Sequence, residues 1–332
     1  MSNLSFSQKP YQTIVLLTGS QLIPLPAIPL NLLIIVISLR KNLIDRNYKY
    51  FVCNLAVCDL LLSLTVFLLH PFIFLGPPRM YNSSLCDLIT FLLQYYSAAM
   101  VYACACIAFN RYVSICMSAN AYNSLFSKRG ILLIIVSTHL VAVLFLLPFL
   151  FDAQAPMPDA PVWCSIVRST TVLSLITTYG QGGSALFMLA GSFYCTYKVN
   201  KRLNEHEKEV LSHIQAKKLN TNKGIVKALW IQVSLAMVCN SPVVLYALIN
   251  ATTDYHNWWI ATLSHMCMWS NPGFDAVTSL FVLKTYRQVA VNFFKNLANG
   301  RIVLACPDGS SEAQFAVRPK YKVRRGSGTV KF

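Results

Sequence analysis

The hydrophobic residues of this chain fall into seven long blocks separated by short polar segments. Blocks of about 20 residues, at 1.5 Å per helical residue, cross the roughly 30 Å hydrocarbon layer of a membrane. The pattern therefore predicts an all-α membrane protein, a bundle of seven transmembrane helices. The predicted spans are Tyr11–Leu39, Tyr48–Phe74, Cys86–Cys116, Lys128–Phe151, Ser169–Tyr197, Ile225–Ile249 and Trp258–Leu283.

Two further segments follow the last block. Lys284–Leu297 alternates polar and apolar residues and predicts a short amphipathic helix on the inner membrane surface. The remaining tail is rich in Gly, Ser, Lys and Arg and is expected to be disordered. Three parts result: an extracellular N-terminus over 1–10, a seven-span domain with its surface helix over 11–297, and a cytoplasmic tail over 298–332.

Charge is sparse and unevenly placed. Charged residues make up 12% of the chain, against about 25% in soluble domains. If the N-terminus faces outward, 25 of the 28 Lys and Arg residues fall in cytoplasmic segments, as basic residues in short loops do. The net charge of +16 is thus explained by topology, and no nucleic-acid partner is expected. The basic segments are expected to contact anionic membrane lipids instead.

Residues open to modification agree with this orientation. The glycosylation sequons begin at Asn3, Asn82 and Asn250, and all three lie in predicted outer segments. Cys86 and Cys164 also lie on the outer, oxidising side, and we expect them to form a disulfide. Cys306, in the tail, is a candidate for palmitoylation or an unmodified thiol.

Short motifs recur in a fixed order along the spans. They comprise Asn31 in the first span, Asn54–Asp59 (NLAVCD) in the second, Asn110-Arg111-Tyr112 at the foot of the third, Cys239–Pro242 (CNSP) in the sixth and Asn271–Asp275 (NPGFD) in the seventh. The set resembles the rhodopsin-like G protein-coupled receptors over residues 11–297. Within that class the NRY triplet and the degenerate sixth-span motif resemble the nematode serpentine chemoreceptors, such as the Srx and Srv groups.

The resemblance implies a plasma-membrane receptor, with sensory cilia as a candidate location, that senses a small extracellular chemical cue. It implies a heterotrimeric G protein as partner and no cofactor. Residues implied in coupling and activation are Asn110, Arg111, Tyr112, Pro242, Asn271, Pro272 and Asp275. A polar network is implied at Asn31, Asp59 and Asn271, with Asp275 one turn further inward.

The chain departs from the family pattern at several positions. Asn110 replaces the usual acid beside Arg111. Without that carboxylate, we expect the resting state to be less strongly stabilised. Met100 and Cys267 stand where sodium-binding receptors carry polar ligands. We therefore expect a water-linked polar network around Asp59 in preference to a tight sodium site.

The residues present argue against two classes of ligand, cationic amines and retinal. Leu93 stands where amine receptors carry Asp, so a cationic amine would be buried without a counter-charge. His265 stands where light receptors carry the retinal-binding Lys. The candidate pocket suits a small, weakly polar molecule, and helix packing is the alternative role for each of its residues. It comprises His70, Gln94, Ser97, Asn240, Val243, Ser264, His265 and Trp269.

Other functional classes fit less well. An enzyme is not expected, because the six His residues form no metal-binding motif. A transporter would often show matching helix breaks in two internal repeats, whereas the Pro breaks here lie late in the chain, apart from those at the outer end of the first span. A seven-span trafficking partner without direct ligand sensing remains an alternative.

Overall fold

The computed structural model describes residues 10–39, 47–75, 84–151, 172–209, 213–253 and 257–298, and among them it contains helices and no strand. Helices dominate because backbone groups inside a bilayer must hydrogen-bond within their own segment. The helices are Pro10–Leu22 and Pro24–Leu39 (first span), Tyr48–Leu64, Thr65–Leu69 and His70–Leu75 (second), Ser84–Cys116 (third), Ala119–Leu125 (an inner loop), Lys128–Phe151 (fourth), Val172–Glu209 (fifth), His213–Thr252 (sixth), Trp258–Val282 (seventh) and Lys284–Ala298 (surface helix).

The spans pack as one bundle. Each of the second to seventh spans contacts its predecessor or the central third span, and the seventh packs against the first and second. By length and composition five helices of the described chain are able to cross a membrane: Ile14–Leu39, Tyr48–Phe72, Leu88–Cys116, Lys128–Leu147 and Lys223–Tyr246. The fifth and seventh helices complete the seven-helix fold through their packing.

The second span contains an irregular turn that the hydrophobic pattern does not reveal. Thr65–Leu69 forms a π-helical turn just before Pro71. Because Pro71 has no N–H, the carbonyl of Phe67 loses its usual helical donor. Gln21 of the first span supplies one, with its Nε2 3.0 Å from that carbonyl oxygen. The irregular turn brings His70 into the bundle, where it is buried.

The inner ends of the fifth and sixth spans correct one prediction. The predicted spans end at Tyr197 and begin again at Ile225, but the helices continue to Glu209 and resume at His213. Hydropathy marks only the membrane-embedded part of a helix, while the polar residues here are good helix formers. Lys223 forms an ion pair with Glu207 that joins the two extensions.

Packing between the fourth and fifth spans depends on one glycine. A Cβ added at Gly180 would lie 2.8 Å from Cδ1 of Phe145, so the helices approach closely at that point. A small residue at a helix interface allows such an approach in membrane proteins. Gly183 and Gly191 have no atom within 4 Å of the corresponding position, so neither allows a close helix approach of this kind.

Several predicted features lie outside the described residues. They are the sequons at Asn3 and Asn82, the side chain of Cys86 with its predicted partner Cys164, Cys306, and residues 299–332 of the tail. Asn250 lies in the last turn of the sixth helix, although its side chain is not described.

Candidate functional site

An imidazole and indole cluster lies in the half of the bundle opposite to Arg111, where the second and seventh spans meet. His70 and Trp269 meet edge to face with ring centroids 4.8 Å apart, and His265 lies 6.4 Å from Trp269. Nδ1 of His265 lies 2.8 Å from the carbonyl oxygen of Ala261. That nitrogen must carry a proton to donate to a carbonyl, which leaves Nε2 as an acceptor in the neutral ring. The cluster therefore presents rings and neutral polar atoms together.

The other predicted pocket residues do not form one group with this cluster in the described contacts. Gln94 pairs instead with Gln181 of the fifth span, whose Nε2 lies 3.0 Å from the main-chain oxygen of Gln94 and 3.3 Å from its Oε1. Nδ2 of Asn240 donates to the carbonyl of Ala236 on its own helix at 2.7 Å. Three further residues line the helices without a described polar contact: Ser97 and Val243, half-buried, and Ser264, buried.

A buried polar network lies in the middle of the bundle. Nδ2 of Asn31 donates to the carbonyl of Pro272 at 3.1 Å and so links the first span to the seventh. Nδ2 of Asn271 donates to Oδ2 of Asp275 at 3.0 Å and lies 3.0 Å from Sδ of Met100 in the third span. Asp59 of the second span is also buried and, like Asp275, is 1% exposed. The structure thus brings Asn31, Asn271 and Asp275 together, while no described hydrogen bond joins the Asp59 carboxylate to them.

A second polar link lies between the sixth and seventh spans. Nε2 of Gln232 donates to Oγ of Ser279 at 3.0 Å, and both residues are buried. Sequence reasoning missed this pair, since a Gln and a Ser 47 positions apart show no pattern of their own. A polar side chain in the middle of an apolar span is the signal that could have identified Gln232.

The foot of the third span carries a buried guanidinium. Cζ of Arg111 lies 3.8 Å from the ring centroid of Tyr48, the first residue of the second span. Arg111 is 6% exposed and Tyr48 is 3% exposed, so their contact is shielded from water. Neither polar atom of the Asn110 side chain has a hydrogen-bond partner among the described residues. An aromatic face from the second span thus contacts the cation where the family pattern places an acid beside it.

The surface helix packs against the end of the first span. Tyr286 is buried, and its hydroxyl lies 2.8 Å from Oγ of Ser38 at the end of the first span. Burial raises the pKa of Tyr286 above its usual value, so its hydroxyl remains protonated at physiological pH. Sequence reasoning treated this helix as a surface feature and missed Tyr286. The signal that could have identified Tyr286 is a Tyr on the apolar face of an amphipathic helix.

The inner loop holds Tyr48 in place. Nδ2 of Asn47 donates to the carbonyl of Phe126 at 3.1 Å. The ring of Phe126 packs edge to face against Phe51, one turn along from Tyr48, with centroids 5.8 Å apart. The foot of the second span is therefore fixed to the loop that follows Arg111, which positions the Tyr48 ring.

Comparisons with known proteins identify the fold and the family. Residues 30–274 of the chain match the protein family described as "7 transmembrane receptor (rhodopsin family)". Among solved structures, a crystal structure of squid rhodopsin matches with a TM-score of 0.75 and 18% sequence identity, over 90% of this chain and 91% of that one. No curated protein matches the chain. The family match extends over most of the sequence, and the chain belongs to the rhodopsin family of seven-transmembrane receptors.

Proposed function

We propose that this receptor recognises a small, neutral extracellular molecule, a chemosensory cue, and activates a heterotrimeric G protein. The observation that carries the proposal is Arg111, a buried cation at the inner end of the central helix. A charge at such a depth is costly and is kept where it has a function. Because Tyr48 covers the guanidinium, the described arrangement corresponds to a resting receptor in which Arg111 is withheld from a partner.

The chemistry of the outer cluster supports a neutral ligand. His70, His265 and Trp269 offer aromatic surfaces and neutral hydrogen-bonding atoms. Leu93, on the third span, is buried where amine receptors place an acid. A buried cationic ligand would find no carboxylate at that position, whereas a weakly polar molecule would be well accommodated.

The proposed orientation places the N-terminus outside and the tail in the cytoplasm, in the plasma membrane or a sensory cilium. On that orientation the helical extensions that end at Glu209 and begin at His213 face the cytoplasm. Their basic residues, together with the surface helix, would face anionic lipid headgroups and the G protein.

A shift in population between two receptor conformations would connect ligand binding at the outer end of the bundle to G protein binding at the inner end. Pro242 and Pro272 interrupt the backbone hydrogen bonds of the sixth and seventh helices and provide points of bending. A ligand that binds better to one of two arrangements increases the population of that arrangement. In the active one, Arg111 would leave the Tyr48 ring and contact the carboxyl end of the G protein α subunit.

The test is a ligand screen in cells that express the receptor with a promiscuous G protein. Neutral, weakly polar small molecules should produce responses, whereas small cationic amines should not. His265→Ala should raise the concentration needed for half-maximal response, while Ser270→Ala, a change at a residue that donates to its own helix, should not. Responses to amines alone, or equal responses of both variants, would contradict the ligand assignment.

A further inference from the structure

A pair of carboxamide side chains joins the third and fifth spans. Nε2 of Gln181 donates to the main-chain oxygen of Gln94 at 3.0 Å and lies 3.3 Å from Oε1 of the same residue. Both glutamines are half-buried. Polar side chains within membrane helices are costly and are commonly kept for a function. The pair therefore calls for an explanation beyond the packing of two apolar helices.

The neighbours of Gln181 show that the pair lies inside the bundle. A Cβ added at Gly180 would lie 2.8 Å from Cδ1 of Phe145 in the fourth span, and one added at Gly182 would lie 3.5 Å from Cγ1 of Val244 in the sixth. Successive residues of a helix point about 100° apart, so Gln181 lies between these two contacts. The face that carries Gln181 is thus flanked by the fourth and sixth spans and directed at the third.

A second contact, closer to the inner end, already joins the same two spans. The hydroxyl of Tyr102, which is fully buried, lies 2.6 Å from Oγ of Ser184. Ser184 donates to the main-chain oxygen of Gln181 at 2.9 Å, so the Tyr102 hydroxyl is the donor in the first bond. Since this contact holds the spans together, the glutamine pair about one turn away is open to another role.

The hydrogen bonds of the pair leave a donor and an acceptor unused. A carboxamide carries two N–H donors and one oxygen acceptor. Among the residues that the structure describes, Nε2 of Gln94 donates no hydrogen bond and Oε1 of Gln181 accepts none. Neither atom is fully buried, so a molecule bound between the spans can contact both. The pair therefore presents N–H groups from one span and a carbonyl oxygen from the other.

We propose that Gln94 and Gln181 bind the polar end of the ligand, and that this ligand carries an uncharged hydrogen-bond donor together with an acceptor, as carboxamides and alcohols do. The acceptor of the ligand takes an N–H from Gln94, and its donor bonds Oε1 of Gln181. This inference rests on the proposed function, because it names the class of neutral molecule that the receptor would sense.

Related compounds fit the pair less well. A ketone, ester or ether accepts from Gln94 but sets a second oxygen against Oε1 of Gln181, which leaves a desolvated acceptor without a donor. A carboxylate brings a negative charge to the same oxygen and loses its hydration on entering the bundle. Discrimination therefore depends on the donor of the ligand. Its loss should weaken binding about tenfold, the effect of one hydrogen bond in a partly desolvated site.

The test uses the purified full-length receptor in lipid nanodiscs and follows its unfolding temperature as probe compounds are added. The probes are hexanamide, benzamide, hexanol and benzyl alcohol, each beside its fully N-methylated or O-methylated form, which keeps the acceptor and lacks the donor. At least one parent compound should stabilise the receptor saturably, and its methylated form should need about tenfold higher concentration.

Two variants separate ligand recognition from a purely structural role. Gln181→Leu removes the acceptor, so parent and methylated probes should bind about equally. Gln232→Leu, which also replaces a buried glutamine that joins two spans, should lower the unfolding temperature but keep the tenfold preference. A variant effect on stability without a change in preference would show that the glutamine pair serves packing alone, and would overturn the proposal.

The wild-type receptor decides the matter even if Gln181→Leu does not fold. Equal binding of parent and methylated probes, or no binding of any parent compound, would overturn the proposal. Activation of cells by neutral compounds that lack a donor would also overturn it while leaving the proposed function intact. Activation by cationic amines alone would instead contradict the proposed function.

Discussion

Replacing Tyr48 by Leu removes the aromatic face beneath Arg111 while keeping an apolar side chain of similar burial. Cζ of Arg111 lies 3.8 Å from the ring centroid in the structure. Tyr48→Phe is the matched control, because it keeps the ring and removes only the hydroxyl. The two variants therefore separate the cation–π contact from any contribution of the phenolic oxygen.

The size of the expected effect follows from the burial of the pair. At 6% and 3% exposure the contact is desolvated, and such contacts contribute about 2 kcal/mol. If the contact exists only in the resting arrangement, its loss shifts the equilibrium toward the active arrangement by roughly 30-fold, since about 1.4 kcal/mol is a factor of ten. A receptor that is about 1% active at rest would become about one-fifth active.

The assay is ligand-free G protein activation, normalised to receptor at the cell surface. Tyr48→Leu should raise this basal signal strongly, whereas Tyr48→Phe should stay near the wild-type level. A basal signal in Tyr48→Leu equal to that of the wild type would refute the reasoning. So would equal activation in both variants, because the ring would then not be the group that restrains Arg111.

Three contacts outside the proposed ligand cluster give further predictions for the purified receptor. Tyr286→Phe removes a buried hydrogen bond and should lower stability by about 1 kcal/mol, read as a lower unfolding temperature. Gln21→Ala leaves the carbonyl of Phe67 without its side-chain donor and should cost about 1–3 kcal/mol in the same assay; an unchanged unfolding temperature would argue against that bond. Lys223→Glu should destabilise by only about 0.5 kcal/mol, because its pairing with Glu207 is partly exposed, and the swap Glu207→Lys on that background should restore the loss.

The spans were predictable where charge and apolarity change sharply. The fourth helix has the predicted ends, Lys128 and Phe151, since a basic pair opens it and an apolar run fills it. The seventh begins at the predicted Trp258, where Asn257 caps the helix by accepting from the amides of Trp259 and Ile260. Hydropathy and capping act locally, so a single sequence displays both.

Features that depend on tertiary packing were not predictable. The extensions to Glu209 and from His213 carry no apolar contrast, so hydropathy alone gave no reason to continue the helices. The short helix Ala119–Leu125 in the inner loop, capped by Ser118, was missed for the same reason. Helical propensity in such polar segments is a weak prior that neighbouring structure decides.

Some residues of the candidate site were likewise predictable from the sequence, and others were not. Asn31, Asn271 and Asp275 were predictable because the positions and motifs that contain them resemble those of the family. The contact of Arg111 with Tyr48 joins two helices that are distant in sequence, and nothing in the local pattern of Tyr48 marks it as a partner for a cation. Only the packing of the second span on the third reveals that pair.

The central claim is that the buried guanidinium at the inner end of the third span transmits ligand binding to a G protein. The most direct measurement compares the wild-type receptor with Arg111→Gln at equal surface levels, using the first neutral ligand that the screen identifies. We predict that Arg111→Gln binds the ligand with similar affinity but loses most G protein activation. Undiminished activation in that variant would contradict the account.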